Sequence, residues 1–178
     1  MADRTLNGLQ ACMNSLAMTI GPCAAQADDS LAREQVALMA KYLSFISQRV
    51  HLIADRVRFE LCCYLDMAEG VAEARLRHGL DATALARLCG EARQRLASMS
   101  TRQVEMEGIS AALRTEVSRT VRALPPESRA VRQDVEAVVV ACSRALIEFQ
   151  RAWFAPQAWE TNTEQLPDVE TLLATANR

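Results

Sequence analysis

The chain has 178 residues, half of them apolar and only 4% aromatic, enough for an ordinary domain cored by Leu, Val, Ala, Met and Ile. Its 6 glycines and 5 prolines are too few for an all-β protein, whose turns recur about every ten residues. A net charge of −2 supplies no strong field for DNA, RNA or an acidic membrane, so nucleic acid is excluded as a partner.

Lys41 is the only lysine among 20 basic residues. The bias reads as that of a GC-rich bacterial genome, and any Schiff-base chemistry would have to use Lys41. No charged and then apolar leader opens the chain, and no run approaches the length of a membrane span. The cysteines (12, 23, 62, 63, 89 and 142) contain no Cys-x-x-Cys spacing. They are expected to be reduced, and the protein cytoplasmic.

The first apolar stripe is Leu6, Leu9, Met13, Leu16, Ile20 and Cys23, at helical spacing. Gly21-Pro22 interrupts it, and Pro22 pushes against the carbonyl of Met18, so a kink or split is expected there. Asp28-Asp29-Ser30 is a capping cluster, with Ser30 as the expected N-cap. A long helix follows over 31–78. Its main stripe runs Val36, Met39, Leu43, Ile46, Val50, Ile53 and Val57, continuing through Tyr64, Met67 and Val71. A second stripe, Leu31, Leu38, Tyr42, Phe45, Leu52, Phe59 and Cys63, widens the apolar face. His78 and Gly79 supply a C-terminal cation and a left-handed stop.

Asp81 caps a return helix over 81–124, striped by Leu85, Cys89, Ala92, Leu96, Met99, Met106, Leu113, Val117 and Leu124. The polar stretch 97–103 allows a break. Pro125-Pro126 ends this arm, and Pro126-Glu127 opens the next helix. Val131, Val135, Val138, Val139, Cys142, Leu146, Phe149 and Trp153 mark its buried face. Pro156 ends it, and 155–165 is irregular. Trp153, Phe154 and Trp159 are expected to staple that segment to the bundle. Pro167-Asp168 starts a short helix carrying Leu172 and Leu173.

The fold expected is therefore all-α. It is an up-down bundle on one long antiparallel hairpin, 31–78 and 81–124, with two shorter helices at its base and a short C-terminal helix. The expected division is one domain over 1–155 and a tail over 156–178. The shorter helices cover the base of the hairpin but not its tip, 57–99. Two outcomes are open: a second subunit packs on the tip as an isologous homodimer, or an arm breaks and folds back. The dimer is preferred because no Pro or paired Gly marks a break in the outgoing arm.

Chemistry is sparse. The histidines, His51 and His78, are preceded three residues earlier by Gln48 and Arg75, so the Glu-x-x-His pairs of a di-iron bundle are missing. No zinc spacing, phosphate loop or nucleophile elbow occurs, so no metal, cofactor or catalytic set is expected. Glu60 breaks the apolar stripe. Equal rise along two arms turning near Gly79-Leu80 sets it opposite Met99, within reach of Arg95, Arg102 or Gln103. The simpler reading is an ion pair that fixes the register of the arms. The alternative is a ligand pocket formed by Glu60, Cys63, Tyr64, Met67, Arg95, Met99 and Arg102. Cys62-Cys63 reads as a packed pair, since no histidine lies near to activate a thiol.

The leading expectation is a non-enzymatic protein acting by self-association or as an accessory subunit. A binder of a small apolar or amphipathic ligand comes second, and a cofactor-independent enzyme using Glu60 third.

Overall fold

The computed structural model describes residues 4–27, 29–124, 128–159 and 161–175. The protein is all-α, with no strand among the described residues. The helices are α1 (Arg4–Ser15), a π turn (Leu16–Ile20), α2 (Gly21–Gln26), α3 (Ser30–Arg49), a 3-10 turn (Val50–Leu52), α4 (Ile53–Arg77), α5 (Thr83–Ala97), α6 (Gln103–Arg122), α7 (Arg129–Phe154) and α8 (Val169–Thr175). The chain forms two compact units. The first is Met1–Ile53 with Trp153–Gln165, and the second is Ala54–Ala152 with Leu166–Arg178. This boundary differs from the expected division at 155, because 153–165 belongs with the N-terminal helices and α8 with the second unit.

In the first unit, α1 and α2 form one helical run joined by the π turn, and this run packs along α3. The expected split at Gly21-Pro22 takes the form of a widened turn. The Gly21 N–H donates to the Leu16 carbonyl five residues back, which takes up the strain a proline imposes on ordinary α geometry. A Cβ on Gly21 would stand 2.8 Å from that carbonyl oxygen, so glycine is required there. The widened turn also slips the helix phase by about one residue. Ile20 and Cys23, on the expected stripe, are exposed, while Gly21 and Ala24 turn inward. The cap of α3 is Asp29, whose carboxylate accepts from the Leu31 and Ala32 N–H groups at 2.9 and 3.1 Å. Ser30 is the first helical residue, and Asp28 lies outside the described residues.

The second unit is a four-helix bundle in up-down-up-down order. Arg93 pairs with Glu69 at 2.6 Å, placing α5 antiparallel to α4. Arg95 of α5 reaches Glu105 of α6 at 3.6 Å, and Leu88 shares a cleft with Ala112, so those two helices are also antiparallel. α7 returns along α4, with Phe149 stacked on Phe59 at 4.4 Å and Asp134 bonded to His78 at 2.9 Å. α4 ends as expected: Gly79 has φ 70°, and the Leu80 N–H returns to the Arg75 carbonyl at 3.0 Å.

The outgoing arm is helical without a gap from α3 through the 3-10 turn into α4, but the returning arm breaks at 98–102 and folds back. This is the second of the two outcomes foreseen for the tip. Leu61, Met67, Val71, Leu85, Leu88, Leu113, Val117, Val135 and Leu146 are buried in one core. Those of the tip over 57–99, for which a second subunit was the preferred cover, are thus enclosed with α6 and α7, while Leu76 and Met99 stay exposed. Pro125, Pro126 and Glu127, expected to stop one helix and start the next, lie outside the described residues.

Candidate functional site

The residues proposed as a pocket divide into two groups: Glu60, Cys63, Tyr64 and Met67 lie three or four residues apart on α4, while Arg95, Met99 and Arg102 lie at the end of α5 and in the turn beyond it. Glu60 bonds Arg56 one turn back on its own helix at 2.8 Å, so the expected cross-arm pair is replaced by a local one. Because the returning arm breaks just beyond α5, Met99 sits in the connecting turn, fully exposed. Arg95 and Arg102 both turn to Glu105, whose carboxylate also accepts the Arg102 backbone N–H at 3.1 Å. Tyr64 carries Arg114 over its ring at 6.0 Å, and Met67 lies in the core. Hence Arg95 and Arg102 meet through Glu105, whereas Glu60 and Met99 stand apart from them.

The cysteines are not activated. Burial, with Asp66 beside it, pushes the Cys63 thiol up to about 12. Burial likewise raises Cys62, Cys89 and Cys142. All four are thiols at neutral pH, the inert form.

The feature that stands out is on α3. Arg33, Val36, Ala37 and Ala40 face the first helices across a groove of about 490 Å³, completed by Met13, Leu16, Ala17, Gly21, Ala24 and Ala25. At about 100° per residue, Leu31, Leu38 and Tyr42 point about 170° away from that groove. They are 62%, 51% and 58% exposed. Leu31, Leu38 and Tyr42 of the second stripe therefore form an outer face opposite the groove, and this face adjoins the first stripe, whose Met39, Leu43 and Ile46 lie roughly 90° from it. Only the far end of the outer face is covered. Phe154 stacks on Phe45 at 5.6 Å, Tyr42 approaches Phe45 at 6.2 Å, and Trp159 lies on Phe154 at 6.0 Å. Arg49 fixes this corner, donating from Nε to the Trp153 carbonyl at 3.0 Å with its guanidinium over the indole. Trp153 and Phe154 are the expected staple, but Trp159 remains 76% exposed. Helical angles alone separate these two faces, so the signal was present in the spacing of Leu31, Leu38 and Tyr42.

Large apolar side chains in a continuous exposed row mark a contact surface, since each is more stable out of water. No helix among the described residues is long and apolar enough to cross a membrane. No protein-family model, curated protein or solved structure matches this chain.

Proposed function

We propose that this protein acts by association, as a non-enzymatic cytoplasmic subunit that docks a partner on the outer face of α3. The observation that supports this reading is the exposed row of Leu31, Leu38 and Tyr42 on a helix whose opposite face already packs within its own unit. Burying such a row against a complementary helix removes apolar surface from water at roughly 25 cal/mol per Å². The docking face is thus the N-terminal helical unit, in place of the hairpin tip first considered.

Native mass spectrometry and sedimentation of the full chain test this. The wild type is expected to run as an assembly, and Leu38→Glu or Tyr42→Glu to dissociate it with little change in helicity. A wild-type monomer that retains no other polypeptide overturns the reading.

A second reading, capture of an amphipathic anion, rests on the groove between α2 and α3, with its alanine-rich walls and Arg33 at its edge. Its volume falls in the range of small-molecule sites. A retained fatty carboxylate in the native mass spectrum, lost in Ala37→Trp, is the result it requires.

A further inference from the structure

We infer that the partner is a second copy of this chain, laid antiparallel along α3. Glu34 of each copy then pairs with Lys41 of the partner subunit. This rests on the docking face proposed above and names its occupant. Leu31 and Leu38 stand seven residues apart, and Gln35 and Tyr42 repeat that spacing four residues on; the next positions of the two rows, Phe45 and Arg49, are covered by Phe154 and Trp153. Such a double row is the seam of a coiled coil. Glu34 and Lys41 are also seven apart, so they lie on one flank of the seam. Both are exposed, and neither forms an ion pair among the described residues. The other flank carries Ala32 and Met39.

Orientation follows from these positions. Antiparallel helices related by a two-fold axis bring each flank against the same flank of the partner. Glu34 then meets Lys41 of the partner subunit twice, once on each side of an axis near Ala37. In that register Leu31 packs against Tyr42 of the partner subunit and Gln35 against Leu38 of the partner subunit. Met39 meets Ala32 of the partner subunit on the second flank. A parallel pair instead sets each flank against the other one, placing Glu34 beside apolar Met39 and leaving the charges unmatched. Charge complementarity therefore selects the antiparallel homodimer.

Charge reversal tests this in the full-length protein. Glu34→Lys and Lys41→Glu each turn two attractive pairs into two repulsive ones, and each is expected to loosen the dimer about tenfold in sedimentation equilibrium. The doubly reversed chain is expected to recover wild-type affinity. Mixing the two single variants is expected to give a heterodimer. Positions 34 and 41 are then both basic in one chain and both acidic in the other, so each contact across the seam joins opposite charges. Two folded variants that associate only with each other exclude loss of folding as the cause. A wild-type dimer indifferent to both reversals overturns the register and leaves the docking face standing. A wild type that carries a different polypeptide overturns the second copy as occupant. A monomer without any partner overturns both.

Discussion

Gly79 shows how much a single residue settles. Its φ of 70° lies in the left-handed region, where a Cβ is strained, and the turn it makes closes α4 with paired backbone bonds. Gly79→Ala is expected to lower stability by about 1 kcal/mol in urea denaturation. This stop was legible because it depends on local chemistry alone; Asp81, expected to cap the return helix, stands one residue before the cap position Ala82, and its carboxylate accepts the Thr83 N–H at 3.0 Å. The cysteines divide by setting. Cys12 and Cys23 are exposed, whereas burial raises the other four. Iodoacetamide at neutral pH, followed by peptide mass mapping, is expected to modify Cys12 and Cys23 well before the rest. Folding favours the protonated Cys63 thiol. Its contribution is therefore full below the ordinary value of 9.0 and is lost as pH rises toward about 12.

Among the elements, the break at 98–102 was legible only as an option. Its residues hold no proline or glycine, so propensity alone does not force a stop. Caps make it firm: the Thr101 hydroxyl donates to the Arg95 carbonyl at 2.8 Å, and Glu105 holds the first turn of α6. These bonds depend on side-chain placement that periodicity does not report. The seam between α4 and α7 is tighter than its sequence indicates. A Cβ on Gly70 would stand 2.7 Å from a Val138 methyl, and valine is stiff. Gly70→Ala gains helix propensity but overpacks this contact, for an expected net loss of about 1 kcal/mol. Adding Val138→Ala is expected to cost less than the two single effects summed, a double-mutant cycle readable in thermal melts.

At the scale of the whole molecule, the two units differ in how much apolar surface they enclose. α4 carries nine buried residues, whereas across α1, the π turn and α2 only Leu16 is buried among the described residues. Local opening follows buried contacts. Amide exchange is therefore expected to be fast in the first helices and slow in α4, and α3 to gain protection as protein concentration rises. Equal protection in α1 and α4 would contradict this. The all-α class and most helix bounds were readable from stripes and caps. The site was not, because the hairpin arithmetic assumed an unbroken return arm. Once that arm divides, every pairing computed for Arg95, Met99 and Arg102 changes, and the surplus apolar surface moves to α3.

The π turn at Leu16–Ile20 acts as a frame shift written into the backbone. Everything after it on the first helical run is read one position out of phase, which trades isoleucine and cysteine at the seam for glycine and alanine. The groove beside α3 is thus hollow by phase rather than by composition. Replacing Pro22 with alanine, at unchanged length, removes the clash that the widened turn relieves; a return to ordinary α geometry would carry Ile20 and Cys23 back to the seam and fill the hollow with side chains the chain already owns.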